Sequence, residues 1–245
     1  GDPLQLPQVA QASHPGRSGV SVLEHMLGEG VATVPPHRGV FLTTTRRMHP
    51  AVCEFISQEI YEGRLAAHES CAVQHTAHGT GLRWLRVEHT DRSTESIEEA
   101  ELVADEIRRL LGSRWIDSDR SERDLMVEDF MVVAPYNDQV RMMRRVFDAD
   151  PALAGVRVGT VDKFQGQQAP VVFFTMTTST ADDMPRGPGF LFSRNRLNVA
   201  LSRAKCLAYV VCTDELLNSR AKSVEEMKLI STLCAAVDYA AASRP

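Results

Sequence analysis

No apolar run in the 245-residue sequence approaches the ~20 residues that a membrane-crossing helix needs. No charged-then-apolar leader is found at its start, so a membrane location has no support and a cytoplasmic one is the default expectation. Paired cysteines are missing too. Cys53, Cys71, Cys206, Cys212 and Cys234 are odd in number and contain no Cys-x-x-Cys unit, which suits a reducing compartment better than a disulfide framework. Excess positive charge is absent: the net charge of −5 gives no overall pull towards nucleic acid. Also absent are a Gly-x4-Gly-Lys-Ser/Thr loop and a strand-borne Asp-Glu pair, the devices that hold nucleotide phosphates and their metal. Asp214-Glu215 imitates the second after Val210-Val211-Cys212, but reads better as the start of a helix.

What is present supports a sizeable core. Hydrophobic residues make up 43% of a length that suits one large domain or two small ones. Charge is unevenly spread: Asp91–Asp129 holds thirteen acids against six arginines, whereas Met184–Lys205 carries Arg186, Arg194, Arg196, Arg203 and Lys205 with no acid. A local positive surface can therefore exist on an acidic protein, either as a solvated face or as one that meets an anion.

The chain is organised around Val158–Gln168 and the arginine-rich segment Ser193–Lys205. Val156–Val161 reads as a buried strand that stops in a polar loop, where Asp162, Gln165 and Gly166 offer an acceptor, an amide and a close-approach backbone. The carboxyl end of a strand is a usual address for phosphate contacts in α/β sheets, although an ordinary turn would look the same. Ser193–Lys205 reads as one helix. Arg196 and Arg203, seven apart, would share an exposed stripe while Leu197 and Leu201 face the core. Two such guanidiniums can fork onto phosphate, or simply face water.

In chain order, the sequence opens on Gly1-Asp-Pro-Leu-Gln-Leu-Pro7 without a methionine and reads as cut from a longer chain. Ser21–Leu27 is a short capped helix, and Val34-Pro-Pro-His37 with Arg38-Gly39 marks a boundary. Ala51–Ile60 is a helix stopped at Tyr61-Glu-Gly63. Arg47 precedes its amino end, where a cation does not help the helix, so it is either aimed at an anion or an ordinary surface arginine. His68, Cys71, His75 and His78 imitate metal-ligand spacing, but a single thiolate favours a polar loop. Gly81–His89, Phe130–Ala134, Val171–Thr177 and Leu207–Cys212 read as strands, with Phe130–Ala134 central. Ser96–Leu111, Asp138–Phe147 and Val224–Ala242 read as helices, and Gly112–Asp129 as a polar connection. Arg141, Arg144 and Arg145 form a stripe that faces solvent. The order means an α/β domain with a mainly parallel central sheet flanked by helices.

Five motifs carry a resemblance. Gly-Asp-Pro-Leu-Gln-Leu-Pro (Gly1–Pro7), Arg-Met-His-Pro (Arg47–Pro50), Ala-Pro-Tyr-Asn (Ala134–Asn137), Gly-Thr-Val-Asp-Lys-Phe-Gln-Gly (Gly159–Gly166) and Arg-Leu-Asn-Val-Ala-Leu-Ser-Arg-Ala (Arg196–Ala204) stand in order over almost the whole chain. Together they resemble the successive motifs of superfamily 1 helicases, in the branch of the nonsense-mediated-decay RNA helicase and its bacterial DNA-helicase relatives. The resemblance implies a motor of two RecA-like (P-loop NTPase-type) domains, with ATP and Mg2+ in the cleft and single-stranded nucleic acid, DNA first, across both. Residues 1–40 would be the tail of the first domain and 41–245 the second. Gln5 would sense the γ-phosphate, and Arg47 and Arg203 would be arginine fingers. Asp2, Arg46, Gln165, Gly166 and Gln168 would lie at the nucleotide; Thr160 and Asp162 belong to the loop coupling it to the strand, which would pass Pro135 and Tyr136. Gly-Gln-Gln-Ala-Pro-Val-Val (Gly166–Val172) is similar to proteins whose motor is fused to a RecB-like nuclease.

Two residues depart from that pattern. Arg46 stands where relatives often place an adenine-stacking tyrosine, and Gln168 stands where they place a glutamate. Without a phosphate-binding loop, this chain alone is expected not to hydrolyse ATP, the nucleotide and Mg2+ being held mainly by the first domain. An RNA helicase domain and a non-catalytic binding or scaffold module are the alternatives; retention of Gln5, Arg47 and Arg203 argues against the scaffold.

Overall fold

Phe130–Ala134, Ala169–Thr175 and Ala204–Cys212 are strands of nearly unbroken apolar sequence, and all but one of their residues are buried. Strands of that kind need both faces of their sheet covered, which parallel sheets with crossover helices provide. The computed structural model, which describes residues 2–6, 21–28, 31 and 33–242, has this architecture.

The elements run α1 (Val22–Leu27), β1 (Thr44–Thr45), α2 (Pro50–Ile60), β2 (Ala66–Ala67), β3 (His75–Thr76), β4 (Gly81–Arg86), α3 (Ile97–Leu110), β5 (Arg114–Ile116), β6 (Glu122–Asp124) and β7 (Phe130–Ala134). They continue with α4 (Asn137–Asp148), β8 (Arg157–Thr160), β9 (Ala169–Thr175), α5 (Pro188–Leu191), α6 (Arg194–Leu201), β10 (Ala204–Cys212), α7 (Asp214–Leu217) and α8 (Val224–Ala242). The main sheet has the order β4-β10-β9-β7-β8, parallel throughout. Its middle strand is β9, and β7, expected to be a central strand, is an inner one paired on both sides, with β9 and β8.

Alternation along the strands divides the core in two. Met131, Val133, Val172, Phe174, Ala208 and Val210 face a layer built by α2, α5, α6 and α8. Phe130, Val132, Val171, Phe173, Leu207 and Tyr209 face the layer of α3 and α4. Caps fix several helix starts: Ser21 makes a capping box with Glu24, and the Ser96 and Ser193 side chains accept from backbone N–H groups of the first turn. None of the described helices is long and apolar enough to cross a membrane.

Two expectations need correction. The connection over residues 112–129 is not irregular: β5 and β6 form an antiparallel hairpin that adds to β3. Its anchor is Trp115, 4% exposed, with the Arg123 guanidinium carbon 4.6 Å and the Lys205 ammonium 5.1 Å from its ring centroid. The second concerns the helix read over Ser193–Lys205, which ends at Leu201. Ser202 and Arg203 turn the chain into β10, whose Ala204 pairs with Ala169 of β9. Arg203 is therefore off the helix and 2% exposed, so it shares no exposed stripe with Arg196.

Candidate functional site

Arg203 is held by its own turn. Its Nε donates to the Val199 carbonyl (2.9 Å), Nη1 to the Gln167 carbonyl (3.4 Å) and Nη2 to Ser202 Oγ (3.4 Å). Arg47 arrives from the segment before α2, donating Nη1 to the Ser202 carbonyl (2.9 Å) and Nε to Gln168 Oε1 (3.0 Å). Ser202 thus receives one guanidinium on its carbonyl and the other on its hydroxyl. Among the described residues neither arginine has a carboxylate partner within ion-pair distance. Burial, and then the neighbouring Arg47 charge, holds the Arg203 guanidinium down at about 10; burial also lowers Arg47. A buried cation with only neutral acceptors is poorly compensated, and two together make a position that favours an anion.

Arg47, Arg46, Gln168, Gln5, Asp2 and Ser202 line one cleft of about 780 Å³. Its other wall is apolar, including Leu27, Val34, Phe41 and Leu42, and its size is in the range of small-molecule sites. Five residues expected at a nucleotide (Asp2, Gln5, Arg46, Arg47, Gln168) therefore meet in one place. The glutamine at 168 uses its amide oxygen to hold Arg47, a role a carboxylate would fill with a stronger bond. Gln165 does not reach this cleft; it lines an adjoining hollow of about 230 Å³ with Asp2 and Leu6.

Sequence reasoning missed what fixes the amino-terminal segment. Gln5 Nε2 donates to Asp2 Oδ2 (3.1 Å), and the Tyr61 hydroxyl donates to the same oxygen at 2.5 Å. Asn198 then donates to the Tyr61 hydroxyl (2.9 Å) and the Leu4 carbonyl (2.8 Å), while Asn195 donates to the Gln5 carbonyl (2.7 Å). Burial, followed by the Asp2 bond, pushes the Tyr61 phenol up, so it remains a donor. The available signal was Asn198 itself, an amide on the buried side of a helix between Leu197 and Leu201.

The loop after β8 joins two regions. Val161–Phe164 forms a single 3-10 turn, followed by Gly166 at φ +83°, a conformation that favours glycine. A Cβ on Gly159 would meet Lys163 and Phe164 side-chain atoms at 2.8 and 3.1 Å, so the turn packs directly on the strand that precedes it. At its start, Asp162 Oδ2 lies 3.6 Å from Arg196 Nη1. At its end, the Gln167 carbonyl and the Gln168 side chain hold Arg203 and Arg47. Thr160 is half-buried, whereas Asp162, Gln165 and Gly166 are exposed. Pro135 and Tyr136, expected to lie along a bound strand, are both buried; Phe190 covers Tyr136, with ring centroids 5.5 Å apart.

Among the described residues, no group of three or more histidine, cysteine, aspartate or glutamate side chains could hold a metal ion. His68 turns to Ser70 and His75 to the Val73 carbonyl, while Asp214 pairs with Arg86 at the start of α7.

A family model described as an AAA domain matches residues 19–215. The helicase Sen1 of Schizosaccharomyces pombe is 29% identical over 78% of this chain and 12% of its own length. The rat DNA-binding protein SMUBP-2 is 28% identical over 90% of this chain and 23% of its own. The DNA polymerase alpha-associated DNA helicase A of Saccharomyces cerevisiae is 25% identical over 89% and 34%. The chain thus spans roughly an eighth to a third of the length of these relatives. A solved C-terminal domain described as that of a possible DNA helicase from Lactobacillus plantarum covers 70% of this chain, with a TM-score of 0.41 and 12% identity.

Proposed function

Because this chain belongs to the AAA domain family and is a superfamily 1 helicase-like domain, we propose that it is the second motor domain of an ATP-dependent helicase acting on single-stranded DNA. The observation that carries the reading is the meeting of Arg47 and Arg203 on Ser202, beside a cleft that Arg47, Ser202 and Gln5 line while Arg203 lies buried behind it. The donor set suits phosphate: the Arg47 guanidinium and the Gln5 amide line a ligand-sized cleft, with the buried Arg203 guanidinium behind Ser202. Neither arginine has a carboxylate partner among the described residues.

In this role Arg47 and Arg203 stabilise the charge that spreads over the γ-phosphoryl oxygens during transfer, and Gln5 senses that group. The nucleotide's β- and γ-phosphates and Mg2+ are held mainly by a preceding RecA-like domain, which carries the loop and acidic pair that this sequence lacks. Both fingers come from this domain, so hydrolysis requires the cleft to close. The 161–168 loop supports coupling to the strand, because it holds Arg196 at one end and the two fingers at the other. Closure pulls on one end and shifts the other, which is how hydrolysis becomes movement along the strand.

DNA is favoured because SMUBP-2 and helicase A are both named for DNA. The Gly166–Val172 run further supports a RecB-like nuclease elsewhere in the parent protein. The test compares the full-length protein with this chain alone, each with ATP, Mg2+ and an oligodeoxythymidylate strand. Strand-stimulated phosphate release by the full-length protein and none by the chain is expected. Turnover by the chain alone, or no strand stimulation in the full-length protein, contradicts the reading.

A further inference from the structure

The longest stretch of basic residues without an acid, Met184–Lys205, contains more than the finger at Arg203. Arg186 and Arg196 both lie against Phe190 of α5. Their guanidinium carbons are 3.8 and 4.1 Å from the ring centroid, and Tyr136 stacks on the same ring with an interplanar angle of 28°. None of these four residues lines the 780 Å³ cleft. The cluster sits at the carboxyl edge of the sheet, where β7 runs into Tyr136 and β8 into the loop of Asp162.

A guanidinium that lies on an aromatic face uses that face and leaves its N–H edge free, so stacking fixes the direction in which the donors point. Arg186 is exposed, and among the described residues it has no acidic partner. Arg196 is mostly buried and forms an ion pair with Asp162 at 3.6 Å, a loose contact that leaves other guanidinium N–H groups to donate. Burial lowers the Arg196 guanidinium; the Asp162 charge opposes this and outweighs the smaller repulsion from Arg186. Of the two cations, Arg186 is therefore the one left without a counter-charge among the described residues. No aromatic face is left open for a base, because Tyr136 is buried and Phe190 is already covered by Tyr136 and two guanidiniums.

We propose that Phe190 is a positioning platform that holds Arg186 and Arg196 as a phosphate clamp for the sugar–phosphate backbone of a single strand. The inference rests on the reading of this domain as strand-gripping and deepens it. The clamp recognises phosphodiester and no base, so it grips without regard to sequence. Through Asp162, Arg196 is tied to the loop that holds Arg47 and Arg203, which puts the clamp one contact from the phosphate-facing pair.

The experiment measures binding of a fluorescein-labelled oligodeoxythymidylate to the full-length protein by anisotropy across a salt series. Arg186→Ala removes an exposed side chain and leaves the fold intact; it should weaken binding several-fold and flatten the log–log salt slope by about 0.7, one phosphate contact on a single strand. Phe190→Leu keeps both charges but removes the platform, so it should weaken binding with little change in slope. Wild-type affinity in Arg186→Ala overturns the clamp. So does wild-type affinity in Phe190→Leu when Arg186→Ala is weak, since charge alone would then suffice. No binding by the unsubstituted protein instead overturns the strand-gripping reading on which the clamp rests.

Discussion

Arg203→Ala in the full-length protein is expected to lower strand-stimulated ATP hydrolysis by ~10³–10⁵, the range an arginine finger supplies in phosphoryl transfer. Single-strand binding should remain largely intact, because Arg203 is buried and donates only to Val199, Gln167 and Ser202. Arg47→Ala should act in the same direction, and additionally releases Gln168. The same geometry makes an opposite prediction for stability. A guanidinium that is 2% exposed, held down by burial and by Arg47, and without a carboxylate among the described residues gives the fold little net support. Replacing it with methionine should therefore leave the unfolding midpoint unchanged or raise it, while hydrolysis is lost. Unchanged turnover, measured by phosphate release, removes the finger assignment. A large loss of stability with methionine would mean that the arginine is structural.

Glu99→Ala should destabilise the domain by ~1–3 kcal/mol, the penalty for leaving a buried donor without its acceptor. The Glu99 and His89 side chains are both fully buried. Glu99 Oε1 accepts from the Thr177 backbone N–H (2.8 Å) and lies 3.3 Å from His89 Nε2, whose ring reaches Ser179 Oγ with Nδ1 (2.7 Å). Ser179 Oγ in turn accepts from the Arg92 N–H at 3.0 Å. Burial pushes the Glu99 carboxyl up, against the pull of His89. Thr177 sits at φ +70°, a conformation that a β-branched residue adopts only under constraint, and the Glu99 bond supplies part of that constraint. Alanine would strand the Thr177 N–H and one histidine nitrogen in the core. Glutamine keeps an acceptor and should lose less. Urea unfolding checks this: the midpoint should fall for Glu99→Ala at unchanged slope, in the order wild type, glutamine, alanine. A difference below about 1 kcal/mol between alanine and wild type would show that the network contributes little.

Much of the fold was legible because its strands announce themselves. Phe130–Ala134 and Val224–Ala242 begin and end where apolar pattern placed them, and Ser21, Ser96 and Ser193 cap the helices that their sequence positions suggested. The failures have local causes. Leu197–Lys205 contains no glycine or proline, so nothing in it marks a helix end; pairing of Ala204 with Ala169 stops the helix from outside. The β5–β6 hairpin consists of three-residue strands rich in charge, too short for alternation to show. The resemblance places Pro135 and Tyr136 along a bound strand, but both are buried, and Phe190, more than fifty positions later, covers Tyr136. In the site, motif order named Arg47, Gln5 and Gln168, and that the three lie at one cleft was readable in that sense. Their dependence on Tyr61, Asn198 and Ser202 was not, because those contacts join residues far apart in sequence.

The central claim is that Arg47 and Arg203 together receive the terminal phosphate of a nucleotide. It is tested most directly by titrating the full-length protein and its Arg47→Ala and Arg203→Ala variants with ADP and with a non-hydrolysable ATP analogue. The account predicts that each variant keeps the ADP affinity of the wild type and loses the preference for the analogue. Equal weakening of both nucleotides, or a preference left intact, would contradict it.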